Sequence, residues 1–261
     1  MTDAPDQLVR VATSRGVATL TLDSPHNRNA LSSSLIAQLL AGIEAAVDDP
    51  AVRVIVLSHT GPVFCSGADL KETAAAFSSG QVPAGRLGEV LAAVRESPKP
   101  VLARVAGPAR AGGLGLIAAA DLAVCAEQAT FAFSEVRIGV IPAVISAVVL
   151  PRLTSRAANE LYLTGEVFDG RRAAEIGLVT CAVPAADLDA TVERYTSCLV
   201  RGAPGALAGA KDLLRRTPAA SLADDLAALT ELSVRYFRSP EGIEGITAFR
   251  EKRDPMWLPG A

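Results

Sequence analysis

The stretch Lys99–Val124, KPVLARVAGPARAGGLGLIAAADLAV, decides the fold. PVLARVAG is apolar and reads as a strand. ARAGG is a turn of small residues, LGLIAAA is helix-favouring, and DLAVCAE is apolar again and reads as a second strand. Strand, turn, helix, strand is the signature of an α/β chain with parallel strands.

Upstream, VRVIVLSH reads as a strand buried on both faces. From Val17 to Asp23, Ala18, Leu20 and Leu22 alternate with Thr19 and Thr21, which is strand periodicity. The turn-rich DSPHNRNA follows, and Ser32, Ser33 or Ser34 can cap a helix carrying Leu35, Leu39, Ile43 and Ala46 on one face. Downstream, TFAFSE alternates again, with Phe131 and Phe133 on one side. After about Pro184 the pattern turns helical through ADLDATVERYTSCLV, GALAGAKDLLRR, LADDLAALTELSVRYF and EGIEGITAFREKR, with Pro204, Pro218 and Pro240 between runs. The expected organisation is an α/β core over residues 1–184 and a helical region over residues 185–261.

The chain has 261 residues, half of them apolar, enough for one large domain or a domain plus an appendage. Its net charge of -3 gives no general pull toward nucleic acid or an anionic membrane. Cys65, Cys125, Cys181 and Cys198 include no CxxC spacing, and only His26 and His59 are present, so no zinc site is expected. Each cysteine reads as a small, reduced, buried hydrophobe. The polar N-terminus MTDAPDQLVR lacks the pattern of a signal peptide. The longest apolar run, near Ile141 to Pro151, is too short for a bilayer span. These features predict a cytoplasmic protein.

Two loops carry candidate chemistry. CSGADLKE, Cys65–Glu72, follows the strand ending near His59, and ARAGGLGL, Ala109–Leu116, follows the strand ending near Ala106. Such turns expose backbone N–H groups at the start of a helix, where no internal acceptor exists and the dipole adds positive character. The amides of Ala68 and Gly112 are the expected pair of donors for an oxyanion. Glycine packing alone would explain either loop, and GGLG is neither a Walker sequence nor a GxGxxG fingerprint.

Taken together, SGADLKE, KPVLARVAGPARAGGLGLIAAADLAV, FAFSEVRIGVIPA and LTGEVFDGRRAAEIGLV resemble the enoyl-CoA hydratase/isomerase, or crotonase-like, family. The resemblance runs from about Val11 to the terminal AFREKRDPMW. It implies a spiral of ββα turns followed by helices that build homotrimers, often paired into hexamers. It also implies an acyl-CoA thioester whose carbonyl lies between the Ala68 and Gly112 amides, with no separate cofactor. Finer likeness in GLGL, SEVRIGVIPAVIS and EGIEGITAFREKR points to the bacterial methylglutaconyl-CoA hydratase-like branch.

In the family's two-glutamate hydratases one glutamate falls three residues past the second oxyanion glycine; here that position is Gly115. The other falls 20 residues later, on Glu135. One acid is therefore retained and one is missing. Apolar neighbours Phe133, Val136 and Ile138 predict a raised Glu135 pKa, suited to proton transfer. Hydration with Glu135 as acid/base is the favoured reading. A Δ3-Δ2 isomerase with Glu135 as single shuttle, and an acyl-CoA-binding protein without turnover, are the alternatives. For a distal substrate carboxylate, Arg110 and Arg137 are candidates, although structural roles suit each better.

The resemblance further places Arg28, Ala30, Ser66, Asp69, Leu70, Lys71, Gly113, Gly115, Ile141, Phe249 and Lys252 against the acyl-CoA. Arg28, Lys71 and Lys252 would meet phosphates, and Phe249 would pack near the adenine. The small, polar segment from Thr73 to Pro83 is expected to cover the acyl chain.

Overall fold

The structure, a computed structural model, describes residues 6–69, 71–74 and 85–258. Strands β1 (Val9–Ser14) and β2 (Val17–Leu22) form an antiparallel hairpin. Ala18, Leu20 and Leu22 are buried while Val17, Thr19 and Thr21 are half-buried, as the alternation predicts. In β3 (Val54–His59) every residue is buried, the pattern of a central strand covered on both faces. It pairs in parallel with β2 and with β4 (Val101–Val105). The sheet continues in parallel through β6 (Leu122–Ala126) to β9 (Cys181–Val183), giving the order β1-β2-β3-β4-β6-β9.

A second, small sheet has the order β5-β7-β8, from β5 (Ala109–Arg110), β7 (Thr130–Ala132) and β8 (Phe168–Asp169). The chain steps from β4 in the first sheet to β5 in the second and then into a helix. It repeats the step from β6 to β7. This is the ββα spiral that the resemblance implies.

Helices follow the sequence cues. Ser32 caps α1 (Ser33–Asp48) through its side chain, and Leu35, Leu39, Ile43 and Ala46 are all buried. The second helix is α2 (Gly85–Glu96), and α3 (Gly112–Ala119) is buried at every position. Beyond it come α4 (Ala143–Val149), α5 (Ser155–Thr164) and α6 (Gly170–Glu175). The C-terminal region comprises α7 (Leu188–Val200), α8 (Pro204–Arg215), α9 (Leu222–Phe237) and α10 (Pro240–Glu251).

The helical region is anchored to the sheet. Leu188 and Val192 of α7 join Val56, Leu102 and Val124 in a second core. Arg53 donates to the carbonyls of Trp257 and Gly202, at 2.6 and 2.7 Å. Lys211 of α8, itself buried, donates to Asp121 and to the Lys99 carbonyl. Beyond these anchors α9 and α10 expose Leu226, Phe237, Ile243 and Phe249.

One cysteine departs from expectation. Cys65 and Cys125 are buried, with burial pushing both thiols up to about 12, and Cys181 is half-buried, but Cys198 is exposed. Leu188, Val192 and Thr196 set the buried stripe of α7, and Cys198 lies off it. No described helix is long and apolar enough to cross a membrane.

Candidate active site

The two loops are built against each other. Phe64 and Cys65 N–H both donate to the Pro108 carbonyl, Arg110 N–H donates to the Cys65 carbonyl, and Cys65 pairs with Ala109 in a parallel bridge. Ala68 lies three residues beyond Cys65, and Gly112 three beyond Ala109. Gly67 and Ala111, the residues just before them, are in close contact, which brings both amides into the same region.

Close packing then demands small residues. Gly67 has φ +95, and a Cβ there would stand 2.9 Å from the Ala111 Cβ. A Cβ on Gly113 would stand 2.8 Å from the Cys65 Cβ. Ala111 itself, at φ 47 and ψ -118, is the N-cap of α3. An L-residue in such a conformation costs about 1–3 kcal/mol. Among the described residues neither Ala68 N–H nor Gly112 N–H has an acceptor. Gly112 also begins α3, whose dipole favours negative charge there. The pair is chemically equipped to receive an oxyanion.

The first loop is braced from its other side. Leu31 N–H donates to the Gly67 carbonyl at 2.8 Å, and Ser66 N–H donates to the Arg28 carbonyl at 3.1 Å. Buried Asn29 ties this segment down, donating to the Thr60 and Val63 carbonyls and accepting from Ser24 N–H. Arg28 and Asn29 both take positive φ, which leaves Arg28 exposed beside buried Asn29 and Ala30. Asn29 was present in the NRNA turn, but only its fixed partners reveal its bracing role.

Asp69, expected against the ligand, is the cap of a helical turn at 71–74: its Oδ1 accepts from Lys71 and Glu72 N–H. Glu72 in turn accepts from the N–H and hydroxyl of Ser33, joining the loop to α1. Lys71 is exposed. Leu70 lies outside the described residues, as does most of the expected acyl-chain cover, residues 75–84.

Glu135 does not sit on a strand. β7 ends at Ala132, and Glu135 is the second residue of the 3-10 turn Ser134–Ile138. Its Oε2 is buried without a hydrogen-bond partner. Burial pushes the carboxyl pKa up, because the ion loses more solvation than its surroundings return. Ile138, expected to shelter it, is exposed instead. Phe133 is fully buried, its ring tilted against that of Tyr162 with centroids 4.6 Å apart.

Gly115 leaves no open space. A Cβ there would meet Ile145 Cγ2 at 2.6 Å and Leu91 Cδ2 at 3.3 Å. The volume that a second acid would fill is taken by the Ile145 side chain of α4. This packing could not be read from a glycine.

Both candidate arginines have backbone partners. Arg110 donates to the Ala109 and Thr130 carbonyls and to the Thr130 hydroxyl, a structural role. Arg137, exposed on the Glu135 turn, donates to the Thr164 carbonyl at 3.3 Å. Ile141 and Phe249 are exposed. Lys252 is exposed and falls just past the end of α10, in a left-handed cap rather than within the helix. No cluster of three His, Cys, Asp or Glu suited to a metal occurs among the described residues.

Comparison with known proteins agrees with this architecture. The family model described as enoyl-CoA hydratase/isomerase matches residues 12–259. A solved enoyl-CoA hydratase from Mycobacterium avium is 46% identical, with a TM-score of 0.73 over 97% of this chain and 99% of that one. Another, from Mycobacterium smegmatis, is 33% identical, with a TM-score of 0.88 over 97% and 100%. An enoyl-CoA isomerase/hydratase of Mycosarcoma maydis is 32% identical over 93% of this chain and 92% of its own.

Proposed function

The chain belongs to the enoyl-CoA hydratase/isomerase family, and from that premise we propose that it adds water across the double bond of a 2-enoyl-CoA. The Ala68 and Gly112 amides hold the thioester oxygen. Water attacks C3, the double-bond electrons move into the thioester, and the resulting enolate oxygen rests between the amides. Glu135 takes a proton from the water and delivers it to C2. A single donor of this kind is worth about 10²–10³ in rate.

The observation that carries the reading is the pair of interlocked loops with two uncommitted amides, together with the buried, unpartnered Oε2 of Glu135. Burial keeps the Glu135 proton affinity closer to neutral pH, which suits a group that both accepts and returns a proton. The reaction uses coenzyme A only as part of its substrate and needs no separate cofactor.

The filled space at Gly115 favours a second reading. With one acid, Glu135 could move a proton between C4 and C2, making the protein a Δ3-Δ2-enoyl-CoA isomerase. Turnover of crotonyl-CoA, a 3-enoyl-CoA and methylglutaconyl-CoA by the purified protein separates the readings. Methylglutaconyl-CoA is the specific candidate on branch likeness, with exposed Arg137 as the cation available for its distal carboxylate. Tight binding without turnover of any of the three would leave only an acyl-CoA-binding role.

Arg28, Lys71 and Lys252 are proposed to meet the CoA phosphates, with Phe249 at the adenine. The exposed apolar side chains of α9 and α10 support a homotrimer or a dimer of trimers assembled through residues 185–261. A cytoplasmic location is part of the same proposal.

A further inference from the structure

Glu135 has a neighbour that the loops do not account for. Tyr162, on α5, stacks on Phe133 with ring centroids 4.6 Å apart. The 3-10 turn carrying Glu135 is held to the end of α5, because Arg137 donates to the Thr164 carbonyl. A Cβ on Gly165 would come within 3.3 Å of the Phe133 carbonyl, so the two segments are in contact there. Phe133, against which the Tyr162 ring packs, lies two residues before Glu135, so the phenol belongs to the same corner of the fold.

The proton of Tyr162 can be placed by counting donors. Ser146 Oγ lies 2.6 Å from the Pro142 carbonyl and 3.3 Å from the Tyr162 hydroxyl. A carbonyl has no proton to give, so the single Ser146 proton goes to Pro142. That leaves Ser146 to accept from Tyr162 across the 3.3 Å contact, and turns the phenol proton toward Ser146. What remains on the phenol oxygen is acceptor capacity, with no other partner among the described residues. Glu135 Oε2 is also an acceptor without a donor. Two acceptors on contacting segments, each with capacity to spare, match the two hydrogens of one water molecule.

We propose that Tyr162, oriented by Ser146, is the second acceptor for the water that adds to the enoyl thioester, in place of the acid missing at Gly115. This rests on the hydratase reading above. As the water oxygen bonds to C3, one hydrogen passes to Glu135 and the double-bond pair moves into the thioester enolate. Glu135 then gives that proton to C2. The other hydrogen stays on the new hydroxyl, directed at Tyr162, and the phenol keeps its own proton on Ser146. One H and one OH are added, and the carboxylate is regenerated. α4 thus has a double effect: Ile145 closes the position of the lost acid, and Ser146 on the same helix supplies its substitute's orientation.

The test is Tyr162→Phe, which removes the hydroxyl and keeps the ring stack. Two rates are read: hydration of crotonyl-CoA, and exchange of the α-protons of butyryl-CoA with deuterium oxide. Exchange needs Glu135 and the amides but no attacking water. The expected result is a fall of about tenfold to a hundredfold in hydration kcat, with KM within about twofold and exchange within about threefold of wild type. Ser146→Ala, with the phenol in place but unoriented, is expected to lose hydration severalfold with the same sparing of exchange. Unchanged hydration in both variants, or hydration and exchange falling together, overturns the proposal. A wild-type protein that exchanges or isomerises but hydrates nothing overturns the hydratase reading, and this inference with it. Wild-type hydration with a silent Tyr162→Phe overturns this inference alone.

Discussion

Ile145 Cγ2 stands where a side chain on Gly115 would begin: a Cβ at Gly115 would lie 2.6 Å from it. The loss of one acid and the presence of a branched apolar residue on the facing helix are thus one packing solution. Gly115→Glu alone is expected to destabilise the fold rather than rebuild a two-acid site. Overpacking costs about 1–3 kcal/mol, and an unpaired buried carboxylate adds to it. Gly115→Glu with Ile145→Ala should recover part of the loss. Denaturant unfolding of the two variants checks the order.

Glu135→Gln is expected to lower kcat by about 10²–10⁴ with little change in binding of a non-reacting acyl-CoA. The acid limb of kcat/KM in the wild type should lie above the ordinary carboxylate range, since burial raises this pKa. The same shift has a sign for stability. A carboxyl whose folded pKa exceeds its unfolded value favours folding at low pH, and that advantage is lost as pH rises through the folded pKa. Gln never ionises there, so the variant should melt above the wild type at neutral pH. The gap should close on acidification. Melting curves across pH 4–8 read this directly.

Gly67→Ala tests the contact between the loops. At φ +95 with Ala111 Cβ only 2.9 Å from the added atom, the two loops must separate or the turn must strain. A misplaced oxyanion donor should lower kcat by about tenfold or more, and the backbone strain should cost about 1–3 kcal/mol. Retained kcat would mean that the loop register does not govern the chemistry.

The Lys211–Asp121 pair, 2.5 Å apart with Lys211 buried, fastens α8 to the sheet. Lys211→Met leaves Asp121 without its cation, and removing one partner of a buried pair costs about 3–5 kcal/mol. Lys211→Met with Asp121→Asn should cost less, because neither charge is then stranded. Urea unfolding of the single and double variants gives the coupling.

CoA affinity should weaken as salt rises, since Arg28, Lys71 and Lys252 are all exposed. The screening length falls from about 30 Å at 0.01 M to about 3 Å at 1 M. Exposed charge pairs contribute about 0.2–1 kcal/mol each, so single alanine variants should have small effects. Calorimetry with an acyl-CoA analogue over this salt range checks the assignment.

Much of the fold was legible because it depends on local periodicity. The alternation in β2, the unbroken apolar run of β3 and the Ser32-capped helix with Leu35, Leu39, Ile43 and Ala46 each appear where pattern places them. The two glycine loops stood out by their small residues between strand and helix patterns, and Glu135 was singled out through the family resemblance. Misread features depend on neighbours from elsewhere in the chain. Ile138 points to solvent, and Cys198 lies off the buried stripe of its helix.

By itself, the order of residues determined the kinds of elements and the family, because backbone preference and motif spacing act within short range. Only the tertiary structure decided that the two loops share a paired register, that Ile145 fills the place beside Gly115, and that Tyr162 packs on Phe133 near the Glu135 turn. Those relations join residues tens of positions apart, and close packing of side chains selects them, not any property of a local stretch.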